Sequence, residues 1–354
     1  MRRGLIAWSR EEVPASVLDA RIAKLQEKMR SAGLGVVLVY TSFARPSAVA
    51  WLTHFVPYWN EGLLAVPQAG APVLLAAFSK RMEDWIRSVS HVGEVRCLPD
   101  LGRAAVAFLG ERATGISRVG VLELDALPWR VAEPLLDSGY AQGLTDATAL
   151  YTSIRQPADE GEIRLARRAS DIAARALGAI PSGAARASEA LSAIEASARL
   201  DGAEEVQPRL APDLENDAIL RRFEGDRPLG ARYAVELSVA YKAAWVRVTR
   251  CFSRSAPPQS WLHAQERMSS WAAGLSEATA SAGPPPDEAA CWSVEACLGS
   301  QPFSIISSSE GPVHGTLPAG ALACLSLRLE LADGPWLGGG PVVIGGRGPA
   351  RLLA

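Results

Sequence analysis

Hydrophobic residues in the first half of the chain follow two alternating periodicities. Between Leu18 and Met29 four apolar residues recur at helical spacing, and Gly33 ends that run. The segment Val36–Tyr40 is continuously apolar and rich in β-branched residues, which is typical of a buried strand. The same patterns predict strands at 62–66, 72–77 and 119–124 and helices at 80–88 and 127–137. Helices that alternate with strands in this way indicate an α/β domain with a largely covered sheet.

The pattern changes between residues 146 and 157, which predicts a domain boundary there. Pro157 disfavours a helix immediately before it, and the acidic residues at 159–162 suit the N-terminus of a helix after it. Later patterns predict helices at 163–176, 188–200 and 260–280 and strands at 233–240, 245–252, 322–331 and 341–344. The glycine-rich segment 338–348 lacks the helix of a phosphate-binding loop, and we interpret it as tight turns around a strand. We therefore predict two domains, 1–150 and 151–354.

Composition and charge exclude several classes of function. The 354 residues include 36 basic and 38 acidic ones, a balance that offers no basis for a nucleic-acid or membrane-surface partner. No run approaches the roughly 20 apolar residues that span a bilayer, and the N-terminus lacks the apolar core of a signal peptide. The five cysteines form no Cys-x-x-Cys pair and are expected to be free thiols. We expect a cytoplasmic protein, and the excess of arginine over lysine suggests a bacterial, GC-rich genome.

Several segments resemble the family of creatinase, prolidase and aminopeptidase P. Residues 154–163 resemble the opening of that family's catalytic domain, and residues 181–191 resemble its next helix. Residues 230–252 are similar to its first metal-binding hairpin, and the helix–glycine–strand opening at 21–39 is similar to its smaller domain. The resemblance implies an α+β fold, in which an N-terminal α/β creatinase-like domain precedes a C-terminal pita-bread domain. It also implies a homodimer.

The positions at which this family binds two divalent metal ions carry other residues here. The family uses two aspartates, a histidine and two glutamates. Counting along the hairpin places the aspartates at Glu236 and Arg247, and the glutamates fall near Ser326 and Gly339. The region 291–300, where we expect the histidine, contains none. A guanidinium offers no lone pair to a cation, so the resemblance implies a degenerate member without the metal site and with no cofactor.

Glu236 and Arg247 are the first candidates for a replacement site. Both ligand positions of the family's hairpin face one cavity. Arg247 could therefore bind a carboxylate or phosphate, while Glu236 takes an ammonium group or acts as a base. The equally weighted alternative is that these two side chains pair with each other and fill the space of the metals.

Other residues join this candidate site. His314 lies in a glycine-flanked loop shortly before a predicted strand of the pocket, with an ordinary solvated loop residue as the alternative. His54 lies in the aromatic segment 51–59, which in the family can reach the partner subunit's pocket, although core packing is the favoured reading. We assign catalysis to Glu236 and His314. Substrate binding is assigned to Arg247, Tyr241, Trp245, Arg328, His54 and Tyr58.

Three functions follow from these expectations. The first is a metal-independent enzyme that binds and transforms a small amino-acid-like or carboxylate-bearing molecule, by hydrolysis, elimination or rearrangement. Creatinase cleaves a carbon–nitrogen bond without metal, but its catalytic histidine has no counterpart within residues 206–222. The second is a catalytically dead pseudo-peptidase that serves as a binding or scaffold protein, as the peptidase-like domain of the histone chaperone FACT does. The least favoured is an active Xaa-Pro metallopeptidase.

Overall fold

The computed structural model describes residues 8–57, 59–112, 118–223, 225–275, 285–312, 317–345 and 350–353. These residues divide into two compact units. The N-terminal unit holds the described residues of 8–155 together with 297–302, and the C-terminal unit holds those of 156–296 and 303–353. No helix in the described part of the chain is both long and apolar enough to cross a membrane.

Helices and strands alternate in the N-terminal unit. Its helices are α1 (Ala15–Ala32), α2 (Ser47–Thr53), α3 (Glu83–Val89), α4 (Leu101–Arg112), α5 (Trp129–Leu136) and α6 (Thr148–Arg155), with 3₁₀ turns at Lys80–Met82, Leu124–Ala126 and Ala141–Gly143. Its strands are β1 (Val36–Ser42), β2 (Glu61–Pro67), β3 (Val73–Ala76), β4 (Glu94–Cys97), β5 (Val119–Val121) and β6 (Leu144–Asp146). They form one mixed sheet in the order β4-β3-β2-β1-β5-β6, in which β1 pairs antiparallel with β2 and parallel with β5.

Both faces of this sheet are buried. Successive side chains of β1 point to opposite faces, so Val37 and Val39 join one hydrophobic core, which includes residues of α1 and α2. Val36 and Leu38 join a second core, where Phe108 of α4 packs. A strand that is covered on both sides needs no polar residues, which explains the continuous apolar run in the sequence.

The C-terminal unit is built on a larger antiparallel sheet. Its helices are α7 (Glu160–Gly178), α8 (Ala187–Leu200) and α9 (Gln259–Ala273). Its strands are β7 (Glu205–Ala211), β8 (Arg232–Tyr241), β9 (Ala244–Ser253), β10 (Ala289–Ala296), β11 (Ser304–Ser308), β12 (Gly311–Pro312), β13 (Leu322–Leu331), β14 (Gly334–Val343) and β15 (Arg351–Leu352). The nine-stranded sheet has the order β12-β11-β10-β13-β14-β9-β8-β7, and β15 pairs with β14.

Helix α7 covers one face of this sheet. Asp159 caps its N-terminus, since the Asp159 carboxylate accepts a hydrogen bond of 2.8 Å from the Glu162 N–H. The helix packs against β8 and β9, where Val235 and Leu237 of β8 are fully buried. We call this side of the sheet the helix face. The opposite side, to which the alternate residues Glu236 and Ser238 of β8 point, is the polar face.

A two-residue turn sets the register of β8 against β9. Lys242 and Ala243 both have positive φ angles, of 46° and 66°, as a type I′ hairpin turn requires. This turn places Ser238 opposite Arg247 and Glu236 opposite Thr249. The hairpin therefore brings Glu236 and Arg247 to the same face of the sheet. They belong to two neighbouring residue pairs of that face, Glu236 with Thr249 and Ser238 with Arg247.

The predicted strand at 341–344 coincides with the end of β14, but that strand begins earlier, at Gly334, and the interpretation of the glycines before residue 341 as turns is wrong. The glycines at 338–340 lie inside β14, which pairs with β13 over its whole length. A Cβ atom at Gly339 would lie 2.4 Å from the backbone oxygen of Leu325, and one at Gly338 would lie 2.1 Å from the Trp336 ring. Gly338 and Gly339 therefore mark a crowded part of the strand, in which close neighbours leave no room for side chains.

Candidate site on the polar face of the C-terminal sheet

The positions that replace the expected metal ligands lie in one region of the sheet. Ser326 of β13 pairs with Gly339 of β14, Gly339 pairs with Thr249 of β9, and Thr249 pairs with Glu236 of β8. Paired residues of antiparallel strands point to the same face, and Arg247 shares that face because it lies two residues from Thr249. The register thus brings together four positions that lie far apart in the sequence.

Arg247 is the centre of a network of contacts on the polar face. Its Nη1 forms an ion pair with Glu295 of β10, and its Nε donates a hydrogen bond of 3.1 Å to the Ser238 hydroxyl. The same Nε lies 3.7 Å from Oε1 of Glu236. The guanidinium carbon lies 4.1 Å from the centroid of the Phe303 ring, at cation–π distance. These four contacts fix the guanidinium group in one position.

The acids of this network are largely removed from water. Side-chain exposure is 7% for Glu236, 13% for Glu295 and 15% for Arg247. Burial raises the pKa of Glu295 above its ordinary value, and the nearby charge of Arg247 opposes that shift while Glu236 adds to it. A buried carboxylate is tolerated only with compensating charge and hydrogen bonds, and Arg247 supplies both.

Arg209 lies at the solvent side of the same network. Its strand β7 pairs with β8, so that Arg209 is opposite Glu236, and its Nη1 lies 3.4 Å from Oε1 of Glu236. The Arg209 side chain is 52% exposed. A guanidinium carries five N–H donors, and the contact with Glu236 is the one ion pair that Arg209 forms with described residues. Arg209 therefore keeps donors that face solvent.

This donor set does not fit a dinuclear metal centre. Ser326 and Gly339 provide no carboxylate, and Arg247, a donor of hydrogen bonds only, pairs with the two acids that remain. Cys324 lies on the same face, but burial raises the pKa of its thiol to about 12, so it is not a thiolate ligand. In the part of the chain that the structure describes, no group of three or more His, Cys, Asp or Glu side chains is arranged to hold a metal ion.

Two of the predicted binding residues share the polar face with Arg247. Trp245 lies two residues before Arg247 on β9, and its ring packs edge-on against the Phe303 ring, with 6.2 Å between the centroids. Arg328 lies further along β13, where its Nε donates a hydrogen bond of 2.7 Å to Glu330 of the same strand. Trp245 is therefore next to the network, whereas Arg328 forms a separate pair.

Tyr241 does not join the predicted site. It is an odd-numbered residue of β8 and so points to the helix face, away from Glu236. There its ring receives the guanidinium of Arg168 from α7, at 5.7 Å from the centroid. The expectation that Tyr241 and Glu236 converge fails because the strand runs through Tyr241 without a bulge, which keeps the alternation strict.

The structure describes one of the two histidine candidates, His54. His54 belongs to the N-terminal unit, ends α2 with a φ of 62°, and is 1% exposed. Its Nδ1 lies 3.3 Å from the Val89 carbonyl oxygen, which makes it part of that unit's packed interior. His314 and Tyr58 lie outside the described residues.

Three residues of the network are not among the site residues predicted from the sequence: Glu295, Arg209 and Phe303. A signal existed for Glu295, which is the only charged residue in the segment 291–300 where a histidine was expected. Arg209 gives no comparable signal, since the strand that carries it was not predicted.

Comparison with known proteins identifies the fold. Residues 21–156 match the family model of the creatinase/prolidase N-terminal domain. The chain has the creatinase/prolidase fold. A prolidase from Pyrococcus horikoshii OT3 is similar over 94% of this chain and 97% of its own, with a TM-score of 0.71 and 15% identity. An X-Pro aminopeptidase from Thermotoga maritima MSB8 is similar over the same shares, 94% and 97%, with a TM-score of 0.71 and 16% identity.

A third similar structure is not named as a peptidase. The N-terminal domain of the FACT complex subunit SPT16 from chickpea, Cicer arietinum, is similar over 96% of each chain, with a TM-score of 0.60 and 15% identity. No curated protein matches this sequence. At these identities the likeness confirms the predicted fold class, a creatinase-like α/β domain before a pita-bread domain. It assigns no activity, because one fold carries many functions.

Proposed function

We propose that this chain is a metal-independent member of the creatinase/prolidase fold that binds a small amino-acid-like molecule at Arg209 and Glu236. The observation that carries the proposal is the ion network around Arg247, in which a guanidinium pairs with Glu236 and Glu295 where the family's metals would be bound. We also propose that the protein is a cytoplasmic homodimer, as its family resemblance and composition suggest.

Arg209 is better suited than Arg247 to receive a ligand's carboxylate. Arg247 already contacts Glu295, Ser238 and Glu236, so a ligand could bind it only by displacing one of these partners. Arg209 is half-exposed and keeps unused donors, which can hold a carboxylate bidentately. Arg247 then positions Glu236 instead of binding the substrate, and we assign the substrate-binding role predicted for Arg247 to Arg209.

A zwitterion suits the charge of this site. The two acids Glu236 and Glu295 balance the two arginines Arg209 and Arg247. An amino-acid-like ligand adds one negative and one positive group, with its carboxylate on Arg209 and its ammonium on Glu236. The network stays neutral when such a ligand binds, whereas a simple anion or cation would leave a partly buried charge without compensation.

Acid–base chemistry at this site would use the two carboxyl groups. Burial raises the pKa of Glu295, and a carboxyl group with a raised pKa suits the role of a general acid. Glu236 would take a proton from the bound molecule, which supports hydrolysis, elimination or rearrangement. His314 remains a candidate for a second proton carrier.

One observation favours a different function, that of a catalytically inactive binding or scaffold protein. The contacts of Arg247 through Nε and Nη1 are all with groups of this same chain, and Phe303 covers the face of its guanidinium group. In this case the network only fills the space of the metal ions, and the ligand is another protein.

Binding of zwitterions distinguishes these functions. Isothermal titration of the full chain with a panel of amino acids and guanidino acids should reveal a ligand, and Arg209→Gln should weaken its binding about tenfold, as loss of a charge-assisted hydrogen bond predicts. Arg328→Gln is the matched control, because Arg328 is also a partly exposed arginine of the polar face with one glutamate partner. Equal weakening by both variants, or no binding of any zwitterion, would reject the proposed site.

Metal content tests the other half of the proposal. Elemental analysis of the purified protein should find no stoichiometric transition metal, and added manganese, cobalt or zinc should not raise its thermal midpoint. About two equivalents of metal per chain, the content of a two-metal hydrolase, would overturn metal independence and make Xaa-Pro peptides the next substrates to assay.

A further inference from the structure

The connection between strands β10 and β11 of the C-terminal sheet belongs to the N-terminal unit. Residues 297–302, which we call the strap, are part of that unit, whereas β10 and β11 pair with each other in the C-terminal sheet. Residues 297–303 separate Ala296, where β10 ends, from Ser304, where β11 begins. Hairpin loops usually contain about two to five residues, so this connection is longer than the pairing of its two strands requires.

A carboxylate of the N-terminal unit anchors the strap. Glu123 accepts a hydrogen bond of 3.0 Å from the Ser300 backbone N–H and a second one from the Ser300 hydroxyl. Ser300 is 2% exposed, and hydrogen bonds to an ionised acceptor are stronger than those between neutral groups. The Ser300 carbonyl oxygen accepts from the Ser47 N–H at 3.1 Å, and the Leu298 carbonyl oxygen accepts from the Thr152 hydroxyl at 2.9 Å. These hydrogen bonds fix the middle of the strap in the N-terminal unit.

The backbone at both partners is adapted to this contact. Glu123 has a φ of 53°, in the left-handed region that residues other than glycine rarely adopt. Its N–H donates a hydrogen bond of 2.8 Å to the Thr148 hydroxyl, which holds it there. A Cβ atom at Gly299 would displace the Glu123 carboxylate. A left-handed residue persists only where its surroundings hold it, so the carboxylate is presented to the strap in one fixed position.

Both ends of the strap continue into residues that contact Arg247. Glu295, which forms an ion pair with Arg247, lies three residues before Leu298. Phe303, whose ring covers the guanidinium group at 4.1 Å, lies three residues after Ser300. The pairing of β10 with β13 holds Glu295 independently of the strap. Phe303 lies in no strand, so the orientation of its ring depends on the strap that leads into it.

We propose that Glu123 is a positioning residue of the site at Arg247, because its carboxylate, by holding the strap, keeps the Phe303 ring against the guanidinium group. The inference rests on the proposed function only for the position of the site, and it assumes nothing about the ligand. When the strap is released, Phe303 leaves the guanidinium group, and one face of Arg247 opens to water and to ligands. Glu123 thus controls how far the central arginine of the site is shielded.

The ¹⁹F resonance of Phe303 tests this role without a ligand. The full chain contains seven phenylalanines, and labelling with 4-fluorophenylalanine gives each of them a resonance. The Phe303 resonance is assigned by its disappearance in Phe303→Leu. Arg247→Met should shift it, because the ring loses its contact with a cation. Glu123→Ala should shift it in the same direction, and Glu123→Gln should shift it less, because an amide oxygen still accepts a hydrogen bond from Ser300.

Glu83→Ala is the matched control for a lost carboxylate. Glu83 also belongs to the N-terminal unit, and its carboxylate also accepts a backbone N–H, that of Cys97 at 3.4 Å. Because Cys97 lies outside the strap, the Phe303 resonance should keep its parent position in this variant. A shift in Glu83→Ala as large as that in Glu123→Ala would overturn the proposal, since any loosening of the N-terminal unit would then produce it.

A second variant keeps the test decisive if Glu123→Ala does not fold by circular dichroism. Ser300→Ala removes only the hydroxyl that donates to Glu123, and it should shift the Phe303 resonance in the same direction as Arg247→Met. The proposal is refuted if the resonance stays at its parent position in Glu123→Ala or, where that variant does not fold, in Ser300→Ala. It is equally refuted if Arg247→Met leaves the resonance unchanged. A failure to bind zwitterions would reject the proposed function and leave each of these outcomes as it is.

Discussion

Replacement of Arg247 by methionine is the sharpest test of the ion network. Met keeps an unbranched side chain but removes the guanidinium, so Glu295 loses its ion pair and Phe303 loses its cation–π contact. Loss of the charged hydrogen bond should cost about 2 kcal/mol and loss of the stacking about 1 kcal/mol. The sum of about 3 kcal/mol agrees with the lower end of the cost of breaking a buried ion pair.

The cost should depend on pH in a defined direction. Without Arg247, the buried acids Glu295 and Glu236 repel each other, and the pKa of Glu295, already raised by burial, rises further. An acid whose pKa is raised in the folded state stabilises the fold below its unfolded pKa, and this stability is lost as the pH rises through the folded pKa. Arg247→Met should therefore destabilise the protein less near about pH 5 than near about pH 8.

Chemical denaturation provides the measurement, followed by tryptophan fluorescence because Trp245 packs against Phe303 beside the network. The double variant Arg247→Met/Glu295→Gln should recover much of the lost stability, since it removes the unpaired charge as well. Arg328→Met is the control and should cost less than about 1 kcal/mol, as an exposed pair does. If Arg247→Met costs no more than this control, or costs the same at both pH values, the buried network does not exist.

Two further predictions concern the fold. Gly339→Ala should destabilise the fold by about 1–3 kcal/mol, because its Cβ atom would lie 2.4 Å from the backbone oxygen of Leu325. Gly110→Ala is the control and should stabilise the fold by about 0.5–1 kcal/mol, because Gly110 lies at an exposed position of helix α4 and its Cβ atom would meet no atom within 4 Å. Thermal unfolding of the two variants measures both effects. Burial and the 2.6 Å hydrogen bond to Glu61 raise the pKa of Tyr40 to about 12, so Tyr40→Phe should lose about 1 kcal/mol near neutral pH. That deficit should shrink as the pH rises from about 10 to about 12, and ultraviolet titration should find one fewer late-titrating phenol. A Tyr40 phenol that titrates with the exposed tyrosines would contradict the hydrogen bond.

Four strands of the N-terminal unit, β1, β2, β3 and β5, follow from the sequence because its sheet is covered on both faces. Val36–Tyr40 is continuously apolar for that reason and lies within β1 as predicted. Strand β7 gives no such run, since Pro208 interrupts it, and proline is tolerated there because β7 is an edge strand. Strand β10 is partly exposed, and its sequence shows neither a continuous apolar run nor a regular alternation of apolar and polar residues over its whole length. The return of 297–302 to the N-terminal unit is a long-range feature that no local pattern encodes.

The candidate site is predictable only where its contacts are local. Glu236 and Arg247 belong to one hairpin, and their shared face follows from the turn and the alternation of side chains. Glu295 comes from β10, which is separated from β9 by β13 and β14 in the sheet. Its contact with Arg247 depends on strand order and on two side chains long enough to meet across that distance. No spacing rule in the sequence contains this information.

On the mapping that the family resemblance implies, the residues at the four positions fit one physical change better than four independent losses. The family resemblance implies four carboxylates around two divalent cations, whereas this chain has a carboxylate at one of the four positions, Glu236, a second acid in Glu295, and two arginines close to them. Glutamates at 326 and 339 would add two negative charges to a partly buried cluster that the guanidinium groups already balance, at a high cost in desolvation. Uncharged residues at these two positions, serine and glycine, therefore suit a site with Arg247 at its centre. Restoring one metal ligand alone, for example with Ser326→Glu, should destabilise the fold instead of recovering metal binding.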